Sequence, residues 1–258
     1  MDILVTGGNG FIGSKLIDKL TKEGHNVENF DIKFDKNVCE YNVVLDAFQR
    51  NDCAFHLAAV ADVWKTDKSA LFDANIMGVR NIEKASEVTD TPVMFTSSIT
   101  AKNPTNLYAE TKFIAEKILK DSQAPVSWIR LSNVIGANTN KGQVAAMVEQ
   151  AVSNNKIEVW GEGEIKRSYV TVERVCEILF THLEDYKSDK RQTEFCGEIG
   201  SQTMTNLEMA RLISKYVPNV EIECIPKTPP SPKELYVENT DGRDITDGVE
   251  KLVNSKQT

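Results

Sequence analysis

Short apolar runs alternate with amphipathic segments through the first half of the chain. The apolar runs predict strands at 2–6, 27–31, 53–57, 92–97 and 126–131. Helices are predicted near 11–23, 42–50, 69–88 and 107–121, where apolar residues recur at helical spacing. Strands that alternate with helices are typical of a parallel sheet covered on both faces. The pattern therefore predicts an α/β fold with a doubly wound parallel sheet.

The pattern changes beyond Gly136. A helix near 142–154 is followed by "IEVWGEGEIKRSYVTVERVCEILF" and later by the proline-rich "PKTPPSPKELY". This change predicts a dinucleotide-binding domain over 1–135 and a smaller substrate lobe over 136–258. A strand and helix at about 169–183 are expected to return to the main sheet, and the tail "VNSKQT" is expected to fray.

The first strand runs directly into "GGNGFIG", in which Gly7, Gly10 and Gly13 are spaced by three. Each glycine inside a helix costs about 1 kcal/mol, so we assign these residues to a tight turn that starts the next helix. Such a turn directs free backbone N–H groups and the helix dipole at one point, where the pyrophosphate of a dinucleotide binds. A plain turn would also explain the glycines, but the next strand ends in an acidic residue, Asp31, as expected of a Rossmann fold.

Asp31 also bears on the choice of dinucleotide. Its carboxylate can accept hydrogen bonds from the adenosine ribose hydroxyls and would repel the extra phosphate of NADP. The sequence therefore favours NAD, although Lys33 and Lys36 lie nearby and weaken the preference.

Composition narrows the class of protein. With 258 residues and 41% apolar content the chain can form a large core. The net charge of −8 argues against nucleic acid or an anionic membrane as the main partner. There is no apolar run of ~18 residues and no signal peptide before the first strand, so a cytoplasmic protein is expected. The five cysteines form no Cys-x-x-Cys pair, and we expect neither disulfides nor a metal site.

A second informative stretch is "FTSSITAKNPTNLYAETKFIAEKIL". Tyr108 and Lys112 are four residues apart on a predicted helix and face the same way. A lysine beside a phenol lowers the pKa of the phenol, which suits a general base. Ser97 and Ser98 end a predicted strand, where such sheets bind ligands, although capping of the strand end would also explain them.

The same tyrosine–lysine spacing recurs at Tyr186 and Lys190. That pair lies in a charged segment without serines or a preceding strand, and we interpret it as surface.

In this order the motifs resemble those of the extended short-chain dehydrogenases/reductases, in the NAD-dependent epimerase/dehydratase branch. Further similar segments are "FHLAAVADV", "DANIMGVRNI", "RLSNVIG" and "VWGEGEIKRSYVTVERV". The resemblance covers nearly the whole chain.

The resemblance implies a role for each matching residue. Ser98, Tyr108 and Lys112 would be catalytic, with Tyr108 as the base. The substrate would be held by Ser98, Asn133 and Arg167, of which the last two contact the diphosphate of a nucleotide sugar. NAD would be held by Gly7, Gly10, Phe11, Ile12, Gly13, Asp31, Asn37, Ala58, Ala59, Ser97, Tyr108 and Lys112. His56 is expected to support the end of its strand rather than to do chemistry.

The chain also departs from the family pattern. The loop "ITAKNPTNL" before Tyr108 is short, and the second phosphate-binding arginine is missing, with Lys227 or Lys233 as alternatives. Ile99 and Thr100 stand where dehydratases and decarboxylases carry acids, which disfavours those two activities.

The resulting hypothesis is an NAD-dependent epimerase of a nucleotide-activated sugar. A reductase of a keto-sugar or other carbonyl compound is the main alternative, and a nucleotide-sensing scaffold is a third. The resemblance further implies a homodimer formed by the helices near 69–88 and 107–121.

Overall fold

The computed structural model describes residues 1–61, 68–187, 193–227 and 234–257, except for the side chains of 184–187 and of Glu234. The chain forms two compact units. The first comprises Met1–Arg130 and Cys176–Gly197, and the second comprises Leu131–Val175 and Glu198–Thr258.

Strands and helices alternate regularly in the first half of the chain. The strands are β1 Asp2–Thr6, β2 Asn26–Phe30, β3 Cys53–His56, β4 Val93–Ser98, β5 Val126–Leu131, β6 Asn133–Ile135, β7 Lys156–Trp160, β8 Lys166–Thr171, β9 Glu194–Ile199, β10 Gln202–Thr205, β11 Glu221–Ile225 and β12 Glu234–Leu235. The helices are α1 Phe11–Lys22, α2 Tyr41–Phe48, α3 Lys68–Phe72, α4 Gly78–Thr89, α5 Leu107–Lys120, α6 Gln143–Asn154, α7 Val172–Lys187, α8 Asn206–Ser214 and α9 Thr246–Gln257.

Within the described residues, the main sheet has six strands in the order β2-β1-β3-β4-β5-β9. Strand β1 pairs in parallel with both β2 and β3, and β3 pairs in parallel with β4. The chain thus moves from β1 to one side and then crosses to the other, so the order reverses at β1. In open α/β sheets ligands bind at the carboxyl ends of the strands beside such a reversal. The predicted Rossmann-type sheet is confirmed, and each of its five predicted strands is present within one residue.

The helix predicted at 69–88 differs from the observed one. It is interrupted at Asp73–Met77 by one turn of π-helix, so that α3 and α4 are separate. The buried side chain of Asn75 lies in this turn and binds the backbone of the loop after β3. Side-chain periodicity does not reveal such an insertion, because the apolar stripe continues on both sides of it.

The second unit has its own small sheet and core. Strand β8 lies between antiparallel β10 and parallel β12, and β6 pairs in parallel with its last residues. The prediction that a strand and a helix at about 169–183 return to the main sheet is wrong for the strand. Its strand residues belong to β8 of the small sheet, which is paired on both edges, and from Cys176 the helix α7 belongs to the first unit.

The C-terminal helix does not fray where the sequence led us to expect. Helix α9 extends to Gln257 because Leu252 and Val253 are fully buried in the core of the second unit. Ser255 also accepts a hydrogen bond from the backbone N–H of Asn138.

Two further findings concern the described ranges as a whole. No helix in them combines the length and the apolar character needed to cross a bilayer. All five cysteines are free thiols.

Candidate active site

The glycine turn joins β1 to α1 at very close range. Gly7 has φ +69°, and a Cβ there would lie 2.7 Å from the backbone nitrogen of Ala58, in the loop after β3. A Cβ at Gly13 would lie only 2.2 Å from the carbonyl oxygen of Gly7. Since these neighbours are backbone atoms that cannot rotate away, glycine is required at both positions.

The start of α1 is suited to an anion. Gly10 is the N-cap and offers no side-chain cap, while its own N–H donates to the carbonyl of Gly7 at 2.9 Å. The N–H groups of Phe11, Ile12 and Gly13 belong to the first turn of a 12-residue helix, where no intrahelical acceptor exists. These donors and the positive end of the helix dipole form a site for a phosphate group.

Asp31 follows the carboxyl end of β2 and is fixed in place by the backbone. One carboxylate oxygen accepts the N–H of Asn9 and the other accepts the N–H of Lys33, both at 3.0 Å. Each oxygen retains a second lone pair that can accept a hydroxyl group. The ammonium group of Lys36 is engaged by Glu28 at 2.9 Å.

Asn37, Ala58 and Ala59 lie in the loops beside these strand ends. The side-chain oxygen of Asn37 accepts the N–H of Cys39 at 3.0 Å, which fixes its rotamer. The N–H of Ala58 donates to the hydroxyl of Thr6 at 3.2 Å, and Ala59 follows in the same loop.

His56 supports this strand end. Its Nδ1 is 2.7 Å from the hydroxyl oxygen of Thr6, and its ring stacks on Phe95. Burial, with a smaller contribution from the charge of Lys112, lowers the pKa of His56 to about 3, so that the ring is neutral at pH 7. This contact and the neutral ring agree with a supporting role.

Ser98, Tyr108 and Lys112 lie together at the carboxyl end of β4 and the start of α5. The side chains of Tyr108 and Ser98 are hydrogen-bonded. The ammonium group of Lys112 donates to the carbonyl of Thr96 at 3.0 Å and lies 4.6 Å from the centre of the Phe95 ring. Tyr108 and Lys112 are distant from the glycine turn in sequence. Both segments nevertheless lie at the carboxyl edge of the same sheet.

The protonation of these two groups follows from their burial. Burial raises the pKa of Tyr108 to about 12, although the hydrogen bond from Ser98 acts in the opposite direction. Burial lowers the pKa of Lys112 to about 8, opposed by the negative charge of Glu116. Desolvation therefore favours the neutral form of each, and charges near Lys112 decide whether it stays protonated.

Two residues that sequence reasoning missed bind the serines. The hydroxyl of Thr100 donates to the Ser98 oxygen at 2.9 Å, and its backbone N–H also points to that oxygen at 3.3 Å. Ser97 donates to the buried carboxylate of Glu116 at 2.5 Å. Glu116 lies four residues beyond Lys112, so its spacing was a signal that could have been followed.

A third missed residue is Asn75, the first residue of the family-like Asn-x-x-Gly segment. Its amide oxygen accepts the N–H of Val60 at 2.8 Å, and its amide nitrogen donates to the Thr111 hydroxyl at 3.0 Å. Thr111 in turn donates to the carbonyl of Tyr108 at 2.8 Å. Asn75 therefore ties the loop after β3 to the helix that carries Tyr108 and Lys112.

Asn133 and Arg167 lie together in the second unit. Asn133 is paired with Tyr169 across β6 and β8, and Arg167 is two residues from Tyr169 on the same strand, so all three share one face of the small sheet. Asn133 donates to the carbonyl of Ser168 at 2.9 Å, and Arg167 donates to the carbonyl of Lys166 at 2.7 Å. Arg167 is 6% exposed, and burial lowers its pKa.

The remaining sequence candidates are lysines and the second tyrosine–lysine pair. The ammonium group of Lys227 lies 4.2 Å from the centre of the Trp160 ring. Lys190, Lys233 and the side chain of Tyr186 lie outside the described residues.

Comparison with known proteins places this chain in a family. Residues 3–196 match the model of the NAD-dependent epimerase/dehydratase family, so the chain belongs to that family. It is of the extended short-chain dehydrogenase/reductase type, and NAD is its cofactor. The close backbone approach at Gly7 and Gly13 and the uncapped start of α1 fit the pyrophosphate of this dinucleotide.

Solved structures of this type share the fold along the whole chain. A UDP-glucose 4-epimerase from Brucella ovis, in complex with NAD, is 19% identical with a TM-score of 0.87, over 99% of this chain and 98% of that one. A UDP-glucose 4-epimerase from Thermotoga maritima, with UDP-glucose, is 22% identical with a TM-score of 0.84, over 99% and 98%. An NAD-dependent NDP-hexosamine 5,6-dehydratase of tunicamycin biosynthesis is 19% identical with a TM-score of 0.83, over 98% and 96%.

Proposed function

We propose that this protein is an NAD-dependent epimerase that acts on a nucleotide-activated sugar. The observation that carries the proposal is the cluster of Ser98, Tyr108 and Lys112 at the carboxyl end of β4, in a sheet whose first turn is built for a dinucleotide. NAD, when bound, supplies the group that takes a hydride from the sugar and returns it to the opposite face.

The chain's own residues handle the proton. Tyr108 accepts the proton of the reacting sugar hydroxyl at its phenolic oxygen, and Ser98 holds that hydroxyl by a hydrogen bond. Thr100 orients Ser98, because its hydroxyl donates to the serine oxygen and leaves the serine proton free to point elsewhere. Burial raises the pKa of Tyr108 and the hydrogen bond with Ser98 lowers it. On this proposal the positive charge of Lys112, one turn along α5, further favours the phenolate form.

We assign the cofactor contacts to the first unit. The N–H groups of the first turn of α1 bind the pyrophosphate, and Asp31 accepts the adenosine ribose hydroxyls. The loop residues Ala58 and Ala59 pass beneath the dinucleotide, Asn37 faces the adenine, and Tyr108 and Lys112 contact the nicotinamide end. The hydroxyl of Ser97 is bound to Glu116, so on this proposal Ser97 meets the dinucleotide only through its backbone. On this proposal residues 1–135 form the NAD domain, and residues 136–258 provide the substrate lobe.

The second unit supplies the diphosphate contacts. Arg167 presents a guanidinium group, which pairs with phosphate oxygens in a bidentate way, and Asn133 lies on the same face of the small sheet. Lys227 is our candidate for the missing second arginine, and its ammonium group would act as a point charge.

The residues that follow Ser98 make elimination the weaker alternative. Ile99 is a buried apolar residue, and the hydroxyl of Thr100 is used by Ser98, so neither position supplies a carboxyl group for a dehydratase or decarboxylase. A reductase would use the same three residues and therefore remains the main alternative. A nucleotide-sensing scaffold without turnover is also disfavoured, because the chain keeps Ser98, Tyr108 and Lys112.

The test of the proposal is a screen of the purified protein against UDP-, dTDP- and GDP-sugars. We expect interconversion of two epimers with no net change in the absorbance of free reduced nicotinamide. Consumption of added NADH or NADPH in proportion to a keto substrate, with no epimer exchange, would instead identify a reductase.

Substitutions then check the assignment of the site. Tyr108→Phe deletes only the proton acceptor, so turnover should fall by ~100-fold or more while NAD binding is largely kept. Tyr186→Phe is the matched control, because it has the same spacing to a lysine, and it should leave turnover unchanged. Loss of activity in the Tyr186 variant alone would refute the assignment of Tyr108 as the base.

Arg167→Ala should raise the KM for the nucleotide sugar by ~10-fold or more.

We further propose a homodimer formed by α4 and α5. Helix α5 carries the exposed apolar side chains Phe113 and Ile114, and the exposed Met77 directly precedes α4. A groove of about 330 Å³, lined by Arg80 and Ile114, lies at the surface of the two helices. Light scattering should give a dimer for the native protein and a monomer for Ile114→Glu. A native monomer at working concentration would contradict this arrangement.

A further inference from the structure

One face of α5 makes three successive contacts with three successive residues of β4. Tyr108, Lys112 and Glu116 lie one helical turn apart, so their side chains share a face. Tyr108 is hydrogen-bonded to Ser98, Lys112 to the carbonyl of Thr96, and Glu116 to the hydroxyl of Ser97. Only the first two of these helical residues have a place in the proposed reaction.

Glu116 is a carboxylate in a buried position. The residue is 7% exposed, and both of its oxygens are bound by Arg130 of β5, at 3.0 Å from Nε and 2.7 Å from a terminal nitrogen. Arg130 also lies over the ring of Phe195, with the guanidinium carbon 4.9 Å from the ring centre. A carboxylate that is held on two sides in this way keeps its rotamer.

The charge of Glu116 acts on the lysine one turn earlier. Lys112 is 4% exposed, and an ammonium group in such a place loses its proton more readily unless an anion lies near it. From α5 itself Lys112 interacts with the charge of Glu116, from β3 with the neutral ring of His56, and from β4 with a carbonyl and an aromatic ring.

The other ionisable groups on segments packed against α5 are in contact with solvent. On α3, in the π-helical turn, on α4 and after β4 they are Lys68, Asp73, Arg80, Glu83, Lys84, Glu87 and Lys102. Solvent screens such groups, so Glu116 is the dominant anion for Lys112.

We propose that Glu116, fixed by Ser97 and Arg130, is a positioning residue that keeps Lys112 protonated at the working pH and holds α5 against β4. The proposal rests on the proposed function insofar as a charged Lys112 is needed to activate Tyr108. It also makes a claim about Lys112 that holds whether or not a nucleotide sugar is the substrate.

The sign of each perturbation is fixed by charge. Glu116→Gln keeps an oxygen that can accept from Ser97 but removes the negative charge and leaves the positive charge of Arg130, so Lys112 must lose its proton at lower pH. Arg130→Met removes the positive charge and leaves the carboxylate, so Lys112 must keep its proton to the same pH or a higher one. If Glu116 had a purely structural role, the two variants would change the titration of Lys112 in the same way.

The test is a titration of Lys112 by NMR, in protein labelled with ¹³C at the lysine ε-carbon and free of substrate. The Lys112 signal is identified by its loss in Lys112→Arg. We expect Glu116→Gln to lower the midpoint by about one pH unit, Arg130→Met to leave it unchanged or raise it, and the double variant to fall between the two. Glu110→Gln, which removes an exposed carboxylate from the same helix, is the matched control and should leave the midpoint of the Lys112 titration unchanged.

Three results would overturn the proposal: an unchanged midpoint in Glu116→Gln, an equal decrease in Arg130→Met, or an equal decrease in Glu110→Gln. If Glu116→Gln is too unstable to titrate, the double variant, which leaves no unpaired buried charge, takes its place, and an unchanged midpoint in it refutes the proposal. In the activity assay, the alkaline limb of the kcat/KM profile should move to lower pH in Glu116→Gln. Failure of every nucleotide sugar to react would refute the proposed function but leave the NMR result to decide this inference.

Discussion

Gly13→Ala is the sharpest test of the dinucleotide turn, because the added atom meets backbone on every near side. A Cβ at Gly13 would lie 2.2 Å from the Gly7 oxygen, 2.8 Å from the Gly8 Cα and 2.9 Å from the Gly7 carbonyl carbon. Overpacking of this kind costs about 1–3 kcal/mol, and a backbone overlap belongs at the upper end. Alanine returns about 1 kcal/mol of helix propensity, so the net loss is about 2 kcal/mol.

Both stability and binding should respond to this substitution. A loss of about 2 kcal/mol lowers the Tm of a domain of this size by about 4–8 °C. NAD affinity should fall by ~10-fold or more, because the shift needed to relieve the overlap displaces the N–H groups that face the pyrophosphate. Calorimetric titration at 25 °C measures binding to the folded protein, independently of the change in Tm.

Gly24→Ala separates the two effects. Gly24 has φ +83° and open space around it, so alanine there strains the backbone without meeting another atom. That variant should lose stability but bind NAD as the native protein does. If Gly13→Ala binds NAD normally, or if Gly24→Ala loses affinity to the same degree, the turn does not hold the pyrophosphate as argued.

Two further predictions concern charge. Asp31→Asn keeps an oxygen acceptor but removes the charge that repels the extra phosphate of NADP. The ratio of the dissociation constant of NADP to that of NAD should therefore fall by ~10-fold. Calorimetry that finds NADP preferred by the native protein would refute the reasoning. His56 has a pKa lowered by burial to about 3, against 6.5 when exposed, so the unfolded chain binds the extra proton between these values and stability falls as pH decreases through that window. Between pH 6.5 and pH 5 the loss should be about 2 kcal/mol in urea unfolding; His56→Asn should show a flatter dependence, and equal slopes would contradict the assignment.

The elements of the first unit could be predicted because each depends on a local pattern. Ile3, Leu4 and Val5 are an apolar run and become a strand that is almost wholly buried. The spacing of apolar residues in α5 gives its bounds within one residue at each end. The membership of β8 in the small sheet could not be predicted in this way, because its pairing with β6, β10 and β12 depends on residues that are distant in sequence.

The residues of the candidate site likewise fall into those that a local sequence pattern predicts and those that depend on distant partners. Gly7 and Gly13 were found from sequence because a turn imposes them on the backbone, and their surroundings leave no space for a side chain. Asn75, Thr100 and Glu116 were missed because their roles depend on partners in other elements, which no local pattern specifies. The assignments of individual residues to NAD or to the sugar stay predictions.

The adjacent serines at the end of β4 explain why the missed residues are needed at all. The two serines meet α5 at different places, because Ser98 is hydrogen-bonded to Tyr108 and Ser97 to Glu116, two turns further along the helix. The hydroxyl of Ser97 lies in the buried part of this contact, where it needs a partner. Glu116 provides that partner, and Arg130 binds both oxygens of its carboxylate. In this chain the second serine is thus satisfied by an acid on α5, which is itself paired with a base on β5.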